Sequence, residues 1–554
     1  MFQRIFDNPN KSILLFFALL VVTVIAVYYP SLSVPFYLDD RESILTNVSV
    51  HSPTLDLLVN GPDRMRIIGY FTLWVNYQIG GLEPFGYHVV NLIIHVLNSL
   101  LVYVLAYQLF CHFSPQGLSS TELKKQQTLH RLWALAITAV WALHPLNTQA
   151  VTYVVQRLAS IVTLFYLLTI IFYIQVRKQT NLTKTAGYSV LIVICIVAGL
   201  HAKQNYVGVV VFLLAWELLT APAKVRKVLL WFIAGASLVI LATAPFIPWF
   251  WQTLNAFTRD YSAATRPEYF YSQMIVLWDY VLRFFYPFSL QLDIDQNLQK
   301  SMEPIVGLSL LAHLLVLGVA YKLRKILPLL LVGVLLFYSG HVVESFIIPI
   351  KDLAFEHRTY ISNIGLVIAL AALLRYWADS ASVMRGHWLV GGLAVVLIVA
   401  SITTVKRNVM WQDPLAFYAN EVKLSPEHPR ANASYGNELM KLQRFADAEV
   451  YIKKGVDFNI ARGKITASSL IAFMTVLYEQ EKYQQASHIV MLGLRHIKRP
   501  LDRSNLLANL AYGYIKMGYC DFAKGLLKTA LKLNPNNKDA KTNLAYCSGG
   551  RRGG

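Results

Sequence analysis

Two adjacent carboxylates, Asp39 and Asp40, close the motif PFYLDD just where a hydrophobic N-terminal segment ends. Desolvating a carboxylate is costly, so an acid pair at a membrane surface points to a use there, a solvated loop being the alternative. Further polar motifs, HPLNTQAVTYVVQR, HAKQN and IKDLAFEHR, fall at the same ends of later apolar stretches. An acid pair with several cations is what transfer of a group from a lipid phosphate requires. The carboxylate accepts the proton of the incoming nucleophile. Arg and Lys hold the anionic leaving group and the charge developing on it.

The elements that must position these residues are membrane helices. The chain has 554 residues, of which 55% are hydrophobic and 15% charged, and its mean hydropathy is +0.45. That composition excludes a soluble globule and implies a polytopic membrane protein. The formal charge of +19 does not argue for nucleic acid. Much of it lies in short loops, where positive charge fixes orientation and meets anionic lipid. Four cysteines, with no CxxC or Cys/His cluster, exclude a disulfide scaffold and suggest no metal. The first apolar segment follows Arg4 and Lys11, is too long for a signal core and lacks a small-residue cleavage site, so it reads as a retained anchor.

Eleven stretches near spanning length fall at about 12–30, 88–110, 132–149, 158–175, 186–200, 205–220, 228–248, 305–321, 326–345, 360–376 and 387–405. With the N-terminus inside, Lys124, Lys125, Arg131, Arg177, Lys178, Lys184, Lys224, Arg226, Lys227, Lys322, Arg324, Lys325, Arg375 and Arg385 all fall inside, as the positive-inside rule asks. The outer face then collects a first loop at about 31–87, the three motifs above and a segment at about 249–304. That last segment is aromatic and is interrupted by Asp279 and Arg283, so it reads as a re-entrant or interfacial helix pair. Most spans are apolar across their centres, which argues against a transporter and for chemistry on an amphiphilic substrate at the surface.

After Trp411 the hydrophobicity collapses and a repeat appears. Aligning Ala448, Ala486 and Ala523 sets Tyr435/Gly436, Phe473/Met474 and Leu510/Ala511 in equivalent slots, with Ala530 and Pro535 where a tetratricopeptide repeat has its late Ala and its Pro. The division expected is a membrane catalytic domain over 1–410, a tetratricopeptide α-solenoid over 411–547 closed by the helix Asp539 to Cys547, and a tail over 548–554. Cys520 and Cys547 lie in the outward part. They are either a disulfide that pins the closing helix or two buried thiols.

PFYLDD, NYQIGGLEPFGYHVVNLIIHVLN, ALHPLNTQAVTYVVQR, HAKQN and FEHRTYISNIG, in this order over most of the chain, resemble the TMTC family of membrane O-mannosyltransferases with tetratricopeptide repeats. The resemblance implies an all-α GT-C glycosyltransferase fold, a sugar donor on a polyprenyl phosphate, an outward active site and a protein acceptor held near the repeats. A repeat array shorter than in the animal proteins points to a bacterial member in the inner membrane, working on its periplasmic side. The resemblance puts the GT-C acid motif on Asp39, as general base, and on Asp40, orienting it or contacting the sugar; the alternative for either is an N-cap. The donor phosphate would fall to Arg358 first, then Arg157 and Lys203, with Arg66 anchoring the first loop or the donor. For Arg157 and Lys203 the alternative is snorkelling to headgroups. His144 is a sugar contact or a structural turn, and Glu356 and His357 shape the site around Arg358. Asp293 and Asp295 are candidates for acceptor or metal contact, and no ligand set requires an ion, so a divalent cation stays open. His88, Asn91 and His95 share one helical face and read equally well as interhelical hydrogen-bonders. Gln204 stands where an acid is expected after Lys203, so that position needs no negative charge. The alternatives to protein O-glycosylation are transfer to a lipid or surface polysaccharide, and a non-catalytic membrane scaffold.

Overall fold

A computed structural model of the chain describes residues 9–54, 66–115, 117–243, 264–347, 349–350, 352–379, 383–463 and 465–549, all helix, turn and loop. Its contacts divide the chain into two units, Met1–Gln412 and Asp413–Gly554.

In the first unit the main helices are α1 (Pro9–Tyr28), α2 (Ile67–Gly80), α3 (Pro84–His112), α4 (Ser120–Ala142), α5 (Arg157–Lys178), α6 (Leu182–Leu200), α7 (Gly208–Thr220), α8 (Ala223–Thr243), α9 (Arg266–Phe285), α10 (Pro304–Lys322), α11 (Pro328–His341), α12 (Ser362–Asp379) and α13 (Val383–Met410). Among the described residues, seven helical stretches are long and apolar enough to cross a membrane. They coincide with α1, α3, α5, α6, α10, α11 and α13, and the protein is a multi-pass membrane protein. The described residues of the other four of the eleven apolar stretches fall largely on α4, α7, α8 and α12. These are shorter, as α7 is, or carry charge at one end: Glu122, Lys124, Lys125 and Arg131 in α4, Lys224, Arg226 and Lys227 in α8, Arg375 and Asp379 in α12.

Local sequence explains where these helices begin. α3, α10 and α11 start on a proline, whose missing N–H costs nothing in a first turn. α4 and α9 open with capping boxes, Ser119 with Glu122 and Thr265 with Glu268. Of the interfacial pair expected over 249–304, residues 249–263 lie outside the described residues. Residues 264–303 hold one helix, α9, which stops at Tyr286 before Pro287, and the chain that follows is irregular and buries Leu290, Leu292 and Ile294.

One helix crossing fixes two segments of the site. α11 and α12 touch backbone to backbone, for a Cβ on Gly365 would run into the Gly333 carbonyl oxygen and a Cβ on Gly333 into that of Gly365. Small residues permit such approach where no hydrophobic force separates helix from lipid. The chain leaving α11 carries Glu344, and the chain entering α12 carries Arg358.

Among its described residues the second unit holds eight helices: α14 (Pro414–Leu424), α15 (Pro429–Lys441), α16 (Phe445–Ala461), α17 (Ala467–Tyr478), α18 (Tyr483–Leu494), α19 (Pro500–Lys516), α20 (Cys520–Leu533) and α21 (Lys538–Cys547). Three tight turns, α15 to α16, α17 to α18 and α19 to α20, each contain one residue at positive φ: Gln443 (58°), Glu481 (59°) and Gly518 (86°). Ala448, Ala486 and Ala523, five residues beyond each, are all 0% exposed. The same turn followed by the same small buried residue, three times, is a helical-hairpin repeat. Cys520, the first residue of α20, and Cys547, the last of α21, form a disulfide with Cα atoms 5.4 Å apart. It ties α21 to the hairpin beside it, and loops of this length typically gain about 2–4 kcal/mol from closure. Thiol labelling of the denatured, unreduced chain is therefore expected to mark Cys111 and Cys195 and to spare Cys520 and Cys547 until reductant is added. Full labelling of all four at the outset would refute the bridge.

Candidate active site

The site is built on a short irregular stretch after α1. Leu38 has φ +28°, in a region that non-glycine residues rarely occupy. Such strain, of order 1–3 kcal/mol, persists only where neighbours over-determine it. They do so here. Asp40, 1% exposed, accepts the N–H of Tyr37 on one carboxylate oxygen (2.9 Å) and that of Val155 on the other (2.8 Å). Burial pushes its carboxyl up to about 8, against those two N–H bonds, which favour the charged form. The Asp39 N–H donates to the Tyr153 hydroxyl (2.7 Å), and the Tyr37 hydroxyl donates to the Trp411 carbonyl (2.6 Å). His88 and the carbonyl of Val34 are 2.7 Å apart, so α3 holds the start of the same stretch. The acid pair therefore splits by role. Asp40 fixes the turn, and Asp39 lines a cavity of about 610 Å³.

That cavity brings together Asp39, Arg66, Lys203, His357 and Arg358 from four separate parts of the sequence. Arg66 caps the start of α2, and its Nε is buried without a hydrogen-bond partner. Lys203, 7% exposed, pairs with Glu344 (Nζ to Oε1, 2.7 Å). Arg358, 4% exposed, donates to the carbonyls of Leu353 (3.1 Å) and Asp352 (2.9 Å), and its Nε is 3.9 Å from Oε2 of Glu344. His357 is held by Gln149, whose Oε1 accepts its backbone N–H at 2.7 Å. Burial, then the charges of Lys203, Arg358 and Arg66, keep the imidazole well below its ordinary pKa, so it stays neutral.

Other expected residues lie elsewhere, and their partners show why. Arg157 is 0% exposed and every guanidinium nitrogen is taken. Nε donates to Asn91 (2.6 Å), Nη1 to Asn76 (2.6 Å) and the Thr72 carbonyl (3.1 Å), and Nη2 to the Tyr87 carbonyl (2.8 Å). It is not in the cavity lining and holds α2, α3 and α5 together. Its full burial excludes snorkelling. Glu356, 0% exposed, binds Arg407 (2.6 Å) and takes the Gln291 N–H. His144 is a structural turn, with its Nδ1 accepting the Leu146 N–H (3.2 Å) and its ring stacked on Phe284 at 4.6 Å. Asp293 and Asp295 are absent from the cavity lining. Asn91 and His95 make interhelical bonds, to the Val151 carbonyl (3.0 Å) and, at the end of α4, the Ala142 carbonyl (2.9 Å).

Glu344 escaped sequence reasoning, although its signal was present: an acid at the outer end of the stretch 326–345, the criterion that singled out Lys203. Chemically, the cavity sets Asp39, with the further lining acids Glu42, Glu344 and Asp352, in the same space as three cations, Arg66, Lys203 and Arg358. That pairing suits a proton acceptor and an anion site.

No protein-family model matches the chain. Over 519 aligned residues, 81% of this chain, it is 22% identical to protein O-mannosyl-transferase Tmtc3 of Drosophila melanogaster. It is 27% identical over 223 residues, 36% of the chain, to protein O-mannosyl-transferase F38B6.6 of Caenorhabditis elegans. Over 182 residues, 30% of the chain, it is 30% identical to TMTC4 of Mus musculus. The chain is similar to TMTC protein O-mannosyl-transferases of several animals. It spans 56% of the fly protein's length, 30% of the worm protein's and 24% of the mouse protein's. The TMTC likeness read from PFYLDD, HAKQN and FEHR thus has counterparts across most of the chain.

Proposed function

We propose that this chain is a GT-C glycosyltransferase of a bacterial inner membrane. It moves a sugar from a polyprenyl-phosphate donor to a hydroxyl of an exported protein, on the periplasmic side. The observation that carries the reading is the single cavity in which Asp39 shares walls with Arg66, Lys203 and Arg358. In this scheme Asp39 takes the proton of the acceptor hydroxyl as its oxygen attacks the anomeric carbon. The bond from that carbon to the phosphate oxygen breaks, and the cations take the negative charge that collects on the departing lipid phosphate. Asp40 and Arg157 hold the frame. The helical hairpins of the second unit, read as tetratricopeptide repeats, offer a surface for an unfolded or extended acceptor.

The relatives' names make mannose the first sugar to test. Purified full chain in lipid nanodiscs, given polyprenyl-phosphate [³H]mannose and a Ser/Thr-rich peptide, is expected to put label on the peptide in a β-elimination-sensitive linkage. Label that moves only to lipid or polysaccharide would overturn the protein acceptor. No transfer from any polyprenyl-phosphate sugar would leave a scaffold as the better reading.

A further inference from the structure

Glu344 sits where three cations meet and is itself buried, with 7% of its side chain exposed. It touches Lys203 through Oε1, while Oε2 accepts no hydrogen bond and faces the Arg358 Nε at 3.9 Å. Lys203 stands at the end of α6 and Arg358 on the approach to α12, so no local sequence holds the two together. Two buried cations that share a cavity with Arg66 repel one another, and of the two the lysine is the one that sheds its charge unless an anion compensates it, since a guanidinium stays protonated. We propose that Glu344 is a positioning residue of the donor-phosphate subsite: its carboxylate keeps Lys203 charged and aligned with Arg358, so that an incoming phosphate meets a preformed cationic pair.

This inference rests on the donor reading above and assigns a role within that same site. The groups that face Lys203 are few enough to name. Glu344 is its ion-pair partner. Arg66 comes from the start of α2, and His357, Arg358 and Asp352 from the segment before α12. Asp39 and Glu42 come from the stretch after α1. Glu344 contacts the ammonium directly, with Oε1 2.7 Å from Nζ. Burial pulls Lys203 below its ordinary pKa, and Glu344 is the largest influence opposing that, while Arg66 and Arg358 add to the fall. With Glu344 neutralised, Lys203 loses its proton inside the range where a lysine ordinarily keeps it.

A lipid phosphodiester is the suitable probe, because its single charge does not change between weak acid and weak base. Binding of farnesyl methyl phosphate to the full chain in nanodiscs is measured for parent, Glu344→Gln and Glu344→Asp from about pH 6 to about pH 8.5, a window below the ordinary lysine pKa. The sign follows from the ammonium. A Lys203 whose pKa has dropped is charged at the acid end and neutral at the alkaline end. Relative to parent, Glu344→Gln is expected to bind about tenfold more weakly at the alkaline end and to recover to within about threefold at the acid end. Glu344→Asp, with its carboxylate one methylene further away, is expected to show the same trend at about threefold. A purely structural role would weaken binding equally at every pH. A Glu344→Gln to parent ratio that stays flat overturns the inference and leaves the donor reading standing. Should Glu344→Gln fail to fold, a flat profile in Glu344→Asp overturns it equally. A parent chain that binds the probe at no pH removes the donor reading, and this inference with it.

Discussion

Asp39→Asn is expected to abolish transfer, with a loss of about 10²–10⁴ in rate, the usual range for a positioned general base. The substitution is nearly isosteric and Asp39 is partly exposed in the cavity wall. Donor binding and thermal stability should therefore stay close to those of the parent. Asp40→Asn separates the two roles. Each carboxylate oxygen of Asp40 accepts a backbone N–H, and an amide can present only one oxygen, so its NH₂ meets a second donor. An unmatched buried donor costs about 1–3 kcal/mol, and the variant should unfold at lower temperature as well as lose activity. Single-turnover transfer assays on both purified variants, paired with thermal unfolding, read the distinction. An Asp39→Asn enzyme that retains parental turnover removes Asp39 as the base.

Much of the frame was legible because its signals are local. Length and apolarity mark the helices, Pro and capping boxes mark their starts, and a repeat of 38 and 37 residues from Ala448 through Ala486 to Ala523 marks the hairpins. The site was legible only in outline. That Asp39, Arg66, Lys203 and Arg358 end on one face follows from reading which ends of the helices share a side of the membrane. The finer division within it depends on contacts between segments a hundred residues apart. Asp39 and Asp40 are neighbours in sequence, yet a positive φ at Leu38 and a backbone N–H from Val155 give them separate tasks. Arg157 looked like a phosphate ligand because its acceptors, two asparagines and two backbone carbonyls, carry no charge to betray the pairing. Glu344 was overlooked because the stretch around it is otherwise apolar and its partners, Lys203 and Arg358, lie in other motifs.

The Arg157 network sets the second large effect. Its guanidinium joins Thr72 and Asn76 on α2 to Tyr87 and Asn91 on α3 from the first residue of α5. Arg66, a lining residue of the cavity whose buried Nε has no hydrogen-bond partner, sits one residue before α2 begins. Loss of the guanidinium leaves the side-chain oxygens of Asn76 and Asn91 without this donor, while the Thr72 and Tyr87 carbonyls keep their helical N–H partners. Two unmet acceptors amount to about 2–6 kcal/mol at about 1–3 kcal/mol each. Arg157→Ala is thus expected to lower the unfolding temperature of the purified chain and to expose the first loop to protease. Arg157→Lys should restore only part of this, since one ammonium cannot reach in three directions as a planar fork does. Activity falls in both variants because α2, and Arg66 with it, loses its anchor. The contrary pattern is easy to recognise: if Arg157→Ala weakened phosphate-lipid binding tenfold while leaving unfolding temperature and protease resistance unchanged, Arg157 would be a ligand of the donor after all.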